Sequence, residues 1–118
     1  MAKRSLTPLL WFLFGGGGMV SAMLFPVHVL LFGLAIPLGW SEAPAYESLH
    51  ALVVHPITRL YLFVFIFLPL FHAAHRIRYT AYDLLRVQPS LHQPIAVVCY
   101  GAALAGTAAA AYTLLTIS

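Results

Sequence analysis

Charged residues are scarce in this sequence, and acidic ones are the scarcest. Three Asp or Glu and six Lys or Arg occur among 118 residues, so charged residues make up 8% of the chain and hydrophobic residues 62%. A typical soluble domain has about 25% charged residues. Residues 9–38, 60–74 and 95–117 contain no charged residue at all. The remaining polar connections are too short to fold alone, which excludes a soluble catalytic domain.

Cysteine and clustered basic residues are also lacking. The single Cys99 lies inside the third apolar run, where we expect a small buried hydrophobe. Disulfides, thiol zinc sites and thiol catalysis have no support. The few Lys and Arg residues do not form the basic patch that nucleic-acid binding requires. A cleavable signal peptide is not expected, because the first apolar run is about twice as long as a typical signal core.

Long apolar runs are what the chain has instead. About 20 apolar residues in a helix span the hydrocarbon core of a bilayer, and backbone groups in lipid must bond to one another. The sequence therefore predicts an all-α fold, an integral membrane bundle of three transmembrane helices. We place these helices at residues 9–38, 57–78 and 94–117 of a single membrane-anchor domain, 1–118.

The basic residues predict the orientation of this bundle. Five of the six belong at one end, namely Lys3, Arg4, Arg76, Arg78 and Arg86. The positive-inside rule makes this end, including the N-terminus, cytoplasmic. The connection between the first two spans carries Glu42 and Glu47 and would be external, and Arg59 is the exception to the trend.

Small residues and prolines predict where helices begin, bend and pack. Thr7-Pro8, His55-Pro56 and Gln93-Pro94 are typical of helix starts. Pro26 should kink the first helix. Two sets of small residues are expected to let another helix approach closely, namely the run Gly15 to Gly18 and the stripe Ala102, Gly106 and Ala110.

A polar stripe indicates that the second helix continues beyond the membrane. Its members follow one another at intervals of four, three, four and three residues: His72, Arg76, Tyr79, Asp83 and Arg86. Arg78 and Arg86 are also compatible with contacts to lipid phosphates. Arg76 directly follows the apolar run, so we expect it to need a partner from another chain or a bound ligand.

Trp11, His75 and Arg76 form the candidate binding site. Antiparallel neighbouring helices bring the start of the first span and the end of the second to the same depth. An indole, an imidazole and a guanidinium would then offer donors to the carbonyl oxygens of an apolar ring molecule. The alternative for Trp11 alone is an ordinary residue of the interfacial aromatic belt.

The remaining histidines do not form a convincing haem or metal site. Haem ligands must lie at matched depths on facing helices, and only His28 with His50 or His55 comes close. His72 and His75 have a metal-like spacing without a further ligand nearby. If the ring molecule bound near Trp11 is a quinol, its oxidation also needs a base that accepts its protons. No span contains a carboxylate, so either His72 or His75 serves or the base belongs to another polypeptide of a larger assembly.

These residues carry a family resemblance. The segment Trp11 to Met19, followed by Ser21-Ala22, Pro26 and Pro37-Leu38-Gly39, resembles the first helix of the fumarate reductase D subunit. The second helix is similar at Arg59, Phe63, Leu68-Pro69-Leu70, His75-Arg76 and Asp83-Leu84. The third helix is similar mainly in being rich in alanine. The sequence departs from the pattern at His28, His72 and His55-Pro56.

The resemblance implies a non-catalytic anchor of a haem-free menaquinol:fumarate reductase in the bacterial inner membrane. In that family, the C subunit is a second membrane anchor, and both anchors hold the iron–sulfur (B) and flavoprotein (A) subunits at the cytoplasmic face. FAD and the iron–sulfur clusters belong to these partners. Menaquinol binds at the interface with the partners, next to membrane lipid, and its electrons reduce fumarate to succinate in anaerobic respiration. The family's quinone-site tryptophan and arginine correspond to Trp11 and Arg76, with His75 adjacent, and its acid/base glutamate lies in the second anchor.

Two alternatives stay open at this point. One is a haem-binding anchor of a succinate dehydrogenase-like complex, and the other is a small oligomeric transporter. The uncharged spans disfavour a transporter, which normally needs a membrane-embedded charge. The direction of the reaction, the quinone tail and the number of quinone sites are also open.

Overall fold

Three long helices dominate the computed structural model, which describes residues 5–118. Helix α1 (Thr7–Met23) is followed by α2 (Phe25–His28) and a π-helical segment, Val29–Ala35. The short helix α3 is Tyr46–Val54, α4 is Pro56–Leu84, and α5 is His92–Thr116 after a 3₁₀ turn at Pro89–Leu91. No strand occurs within this described part. The all-α prediction is therefore confirmed.

Within residues 5–118, three helical stretches are long and apolar enough to cross a membrane, and they are Thr7–Ala35, Pro56–Leu84 and Pro89–Thr116. The predicted first span, 9–38, extends too far, because the chain turns after Ala35 and Gly39 adopts a φ of +77°. Lys3 and Arg4 lie outside the described residues, so the cytoplasmic placement of the N-terminus stays a prediction.

The helix starts show how proline and side-chain capping act together. Helix α4 begins at His55-Pro56 as predicted, and the His55 Nδ1 caps it by accepting a hydrogen bond from the Ile57 amide at 3.2 Å. At α1, Thr7 is already the first helical residue. The Ser5 hydroxyl accepts from the Thr7 amide at 3.2 Å instead. The pair Thr7-Pro8 does mark the helix start, but Thr7 does not cap the helix, because its own amide is one of those that need an acceptor.

The first span changes its winding around Pro26. Regular α-helix ends at Met23, and Leu24 separates it from the short α2 that contains this proline. Proline lacks an N–H and its ring collides with the preceding turn, which explains an interruption here. The His28 Nδ1 donates to the Leu24 carbonyl at 2.8 Å, so a side chain satisfies backbone at the interruption. The π-helical segment follows directly.

Helix α4 lies between α1 and α5 and packs against both. Glycine makes the α1 contact close. A methyl group on Gly17 would collide with the Leu68 carbonyl oxygen and lie 2.6 Å from the His72 Cβ, and one on Gly18 would lie 3.0 Å from the His72 ring. Gly15, by contrast, faces open space. The expected close helix contact is confirmed at Gly17 and Gly18.

Small residues of α5 meet the other face of α4. A methyl group on Gly106 would lie 3.0 Å from the Leu70 side chain, while Ala103 and Leu114 are buried in the same interface. The predicted stripe is correct at Gly106. Ala102 is exposed, so the buried face is rotated toward Ala103.

Two details differ from the sequence-based expectations. The connection between the first two spans contains α3, a helix of nine residues that packs against α4. Helix α4 continues beyond the apolar run, as predicted, but it ends at Leu84, and Arg86 has a φ of +47°. The polar stripe therefore stops at Asp83. Arg86 lies beyond the helix, where its direction no longer follows the helical repeat.

Candidate functional site

A cavity of about 330 Å³ lies between the start of α1 and the end of α4. Ligand pockets commonly have volumes of about 300–1,000 Å³. Residues of both helices line it, and they are Trp11, Phe14, His75, Arg76, Tyr79, Thr80 and Asp83. The structure thus brings the three candidate residues Trp11, His75 and Arg76 around one opening. The antiparallel arrangement of α1 and α4 places them at the same end of the bundle.

Aromatic contacts hold the wall of this cavity together. The Trp11 and His75 rings meet edge-on with centroids 5.6 Å apart, and Phe14 lies 4.6 Å from His75 on the same side. Tyr79 packs against His75 with a centroid separation of 4.7 Å. These separations are those of favourable aromatic pairs. The imidazole is therefore held among three aromatic rings.

The three candidate residues differ in their exposure. His75 is buried, with 8% of its surface accessible, whereas 58% of the Trp11 surface is accessible. Arg76 is exposed. The other two arginines of α4 hydrogen-bond within the chain, Arg59 to the Ile117 carbonyl and Arg78 to tyrosine hydroxyls. Arg76 is thus the α4 arginine that lies open at the cavity.

The sequence does not predict the polar cluster that lies behind His75. The Tyr100 hydroxyl of α5 lies 2.9 Å from the His75 Nδ1 and 3.4 Å from Nη1 of Arg78. The Arg78 guanidinium also lies over the Tyr79, Tyr82 and Tyr100 rings, at 4.6, 5.7 and 5.5 Å. Arg78 is held among tyrosines and therefore does not extend freely toward headgroups. No short motif links Tyr100 to His75, because the contact crosses from α4 to α5.

The other histidines of the spans have structural contacts. His72 donates from Nδ1 to the Phe14 carbonyl at 2.9 Å and stacks on the Phe14 ring at 4.6 Å. The second ring nitrogen of His28, Nε2, lies 3.3 Å from the Tyr61 hydroxyl. Both His28 nitrogens are thus engaged, and a haem iron would have to displace one partner. Within residues 5–118, no group of three or more His, Cys, Asp or Glu side chains could hold a metal ion.

A second cavity, of about 420 Å³, lies at the opposite end of the bundle between α4 and α5. Its walls are apolar except for one guanidinium, and they comprise Pro56, Arg59, Leu60, Phe63, Ala111, Leu114 and Leu115. This cavity is larger than the one at Trp11. It lacks the combination of indole, imidazole and guanidinium, and the Arg59 Nε is buried without a partner. The chemistry of the side chains therefore favours the cavity at Trp11.

Comparison with known proteins decides the family. Residues 1–115 match the family model of the fumarate reductase D subunit. The chain belongs to the fumarate reductase D-subunit family. It is 49% identical over 115 residues to the fumarate reductase D subunit of Mycobacterium tuberculosis (strain ATCC 25618 / H37Rv), covering 98% of this chain and 91% of that protein. The resemblance inferred from the first- and second-helix motifs is confirmed.

A more distant relative supports the same assignment. The fumarate reductase D subunit of Shewanella putrefaciens (strain CN-32 / ATCC BAA-453) is 42% identical over 84 residues, covering 70% of this chain and 69% of that protein. Membership of the family and three helices of membrane-spanning length support a membrane-anchor role in fumarate reductase, in a complex with other subunits of that enzyme. Such a complex fits the use of a quinone.

Proposed function

We propose that this chain anchors a menaquinol:fumarate reductase in the bacterial inner membrane and forms one wall of its menaquinol oxidation site. The partners are a second membrane anchor, the iron–sulfur subunit and the flavoprotein subunit, as the family resemblance implies. The chain itself carries no redox group in this proposal, and no haem is expected. FAD and the iron–sulfur clusters belong to the partners, and this chain is a non-catalytic subunit.

The cavity shared by Trp11, His75 and Arg76 carries this proposal. A quinol has a flat apolar ring with an oxygen at each end, so a suitable site needs an aromatic wall and polar groups at its edges. Trp11 and Phe14 supply aromatic surface, and the exposed Arg76 guanidinium supplies donors that bind oxygen in a fixed fork. The cavity opens at the chain's surface, where a partner would complete it.

The reaction requires two electrons and two protons to leave the quinol. In the proposed complex the electrons pass to the iron–sulfur subunit and then to flavin, where fumarate takes up two electrons and two protons to become succinate. Arg76 and His75 hold the quinol oxygens, while Trp11 positions the ring. The proton acceptor is assigned to the second anchor, as the family resemblance implies. The predicted span 57–78 contains no carboxylate, and the carboxylate of this chain at the cavity, Asp83, lies beyond that span.

The charge distribution supports a cytoplasmic location for this site. Arg76 and Arg78 lie at the same end of the bundle as Trp11, whereas Arg59 contacts Ile117 at the opposite end. The positive-inside rule places the arginine-rich end in the cytoplasm. The connection between α4 and α5 would then face the iron–sulfur subunit.

Substitutions at the cavity test the proposed site. In the assembled complex, Arg76→Ala should lower quinol-linked fumarate reduction about 10- to 100-fold, since a hydrogen bond to a charged group contributes about 1.5–3 kcal/mol. Arg76→Lys should retain part of the activity because it keeps the charge but loses the fork. Trp11→Phe should also lower the quinol-linked rate. Fumarate reduction with a soluble dye, which bypasses the anchor, should stay unchanged in all three variants.

Trp40→Phe is the matched control for Trp11→Phe. Trp40 is 69% exposed and lies in the connection at the other end of the bundle. It should leave both activities unchanged. Wild-type quinol-linked rates in both Arg76→Ala and Trp11→Phe would contradict the site assignment, whereas a parallel loss of dye-linked activity would indicate failed attachment of the soluble subunits.

A further inference from the structure

The hydrogen bonds behind His75 bear on which of its ring nitrogens donates and which accepts. The Tyr100 hydroxyl lies between two groups, the His75 Nδ1 at 2.9 Å and the Arg78 Nη1 at 3.4 Å. Arg78 is held in turn by a hydrogen bond from Nη2 to the Tyr79 hydroxyl at 2.9 Å. Residues of α4 and one residue of α5 therefore form a continuous polar chain that ends at the cavity.

The direction of each hydrogen bond follows from the donors available. A guanidinium can only donate, so the Tyr100 oxygen accepts from Arg78. The single hydroxyl hydrogen of Tyr100 then has an acceptor in the His75 Nδ1. The opposite arrangement, with an N–H on Nδ1, would direct two donors at one phenol oxygen and leave the hydroxyl hydrogen without that acceptor. The arrangement that uses every donor and acceptor of this cluster is thus the one in which the His75 Nδ1 accepts from Tyr100 and, in the neutral ring, Nε2 carries the hydrogen.

The remaining ring nitrogen is available to a ligand. His75 lines the cavity shared with Trp11 and Arg76. In the described part of the chain, the buried polar atoms without a partner are the Nε atoms of Arg59 and Arg78. The Nε2 of His75 is not among them, and the hydrogen bond of this side chain is on the Nδ1 side. Among the described residues, Nε2 therefore has no hydrogen-bond partner and is not completely enclosed.

We propose that Tyr100, supported by Arg78, is a positioning residue that holds His75 as a neutral N–H donor toward an oxygen of the quinol ring. This inference rests on the proposed function. His75 then binds the quinol oxygen through Nε2–H and does not remove its proton. The hydroxyl hydrogen of the quinol goes to another group. Of the two histidine roles that the sequence leaves open, ligand holding and proton removal, the hydrogen bonds favour the first.

A double-mutant cycle in the assembled complex tests this role. Tyr100→Phe removes only the hydroxyl, and it should lower the quinol-linked kcat/KM about fivefold, mainly by raising KM, as expected for one neutral hydrogen bond. His75→Gln places an amide N–H near the position of Nε2 without needing Tyr100. We expect His75→Gln to keep a substantial part of the activity and His75→Leu to lose it. In the His75→Gln background, Tyr100→Phe should have less than about a twofold effect, because the bond it removes no longer orients the donor.

Tyr112→Phe is the matched control, because Tyr112 belongs to the same helix and is 72% exposed. It should change neither KM nor the dye-linked rate. If Tyr100→Phe prevents assembly, Arg78→Met provides a second variant. It removes the donor to the phenol oxygen and should produce the same loss of kcat/KM, again dependent on His75.

The outcomes separate the two proposals. An equal effect of Tyr100→Phe with His75 and with His75→Gln would show a merely structural role and overturn the inference. If His75→Gln is as inactive as His75→Leu, His75 is identified as the proton acceptor, and the inference is overturned as well. Either result can occur together with low quinol-linked activity in the Trp11 and Arg76 variants. Low activity in those variants would still support the proposed quinol site. Full activity in those variants would instead remove the proposed function.

Discussion

At the scale of single residues, histidine has two different uses in this chain. His72 and His75 lie on the same helix three residues apart, yet one bonds a backbone carbonyl of α1 and the other a tyrosine hydroxyl of α5. His72 joins two helices, whereas His75 faces a cavity. The spacing alone resembles a metal pair, but the Nδ1 atoms of the two rings bond to different neighbours of α4, although both rings pack against Phe14.

The helix-joining role of His72 can be measured by substitution. His72→Phe keeps a ring against Phe14 but removes the N–H that donates to its carbonyl. Hydrogen bonds between transmembrane helices contribute about 0.6 kcal/mol on average and up to about 1.7 kcal/mol. We expect His72→Phe to lower stability by an amount in this range, measured by detergent-induced unfolding of the purified complex. His72→Asn, which keeps a donor near the Nδ1 position, should be closer to wild type.

If His72→Phe is as stable as the wild type, the hydrogen bond to Phe14 is not what His72 contributes. His72→Phe and His72→Asn differ in ring volume as well as in hydrogen bonding. Measuring both keeps the packing contribution separate from the polar one.

At the scale of helices, one glycine controls the approach of α1 to α4. Lipid chains are as apolar as leucine, so helix association in a bilayer depends on close packing and on polar contacts between helices. Gly17 is buried directly against the backbone of α4 at Leu68. This contact also brings His72 to within hydrogen-bond distance of Phe14, which places the α1 side of the candidate site.

Gly17→Ala should therefore disrupt the helix pair. The added methyl group would collide with the Leu68 carbonyl and lie 2.6 Å from the His72 Cβ, so the helices must separate. Overpacking of this kind costs about 1–3 kcal/mol. We expect a lower dissociation temperature of the complex and a reduced quinol-linked rate, because Trp11 would move away from His75.

Gly15→Ala is the control on the same helix, since a methyl group there would face open space. It should be nearly neutral in the same measurements. A loss as large as that of Gly17→Ala would show that glycine flexibility, and not the contact with Leu68, explains the effect.

At the scale of the whole molecule, the two ends of the bundle are chemically different. One end has Arg76, Arg78 and the cavity at Trp11, and the other has Arg59 and the short helix α3. The positive-inside rule predicts that the first end is cytoplasmic. In the proposed complex, this orientation determines which face receives the soluble subunits.

Labelling of introduced cysteines tests the orientation. In a Cys99→Ala background, Ser41→Cys marks the connection before α3, and Ser90→Cys marks the 3₁₀ turn before α5. A thiol reagent that does not cross membranes should label Ser41→Cys while the cytoplasmic membrane is intact. Ser90→Cys should react only after the membrane is opened. The reverse pattern would place the candidate site on the external face and contradict the proposed contact with an iron–sulfur subunit.

The amino-acid pattern alone is enough to predict three spans, the glycine contact, the family and the end of the bundle at which Trp11 and His75-Arg76 meet. These features depend on local hydropathy, on residue size and on the alternation of direction between successive helices, all of which can be read along the chain. The helix boundaries differed by a few residues where capping intervened, as at Thr7.

The polar groups that meet across helices depend on three-dimensional packing, which the amino-acid pattern does not predict. The rotation of α5 about its axis, which buries Ala103 and exposes Ala102, directs Tyr100 at His75 and Arg78. Hydropathy cannot predict this rotation, because α5 is apolar all around and small side chains permit several contact faces. The apolar pattern also does not predict helix α3 or the end of α4 before Arg86. Both depend on packing and backbone geometry.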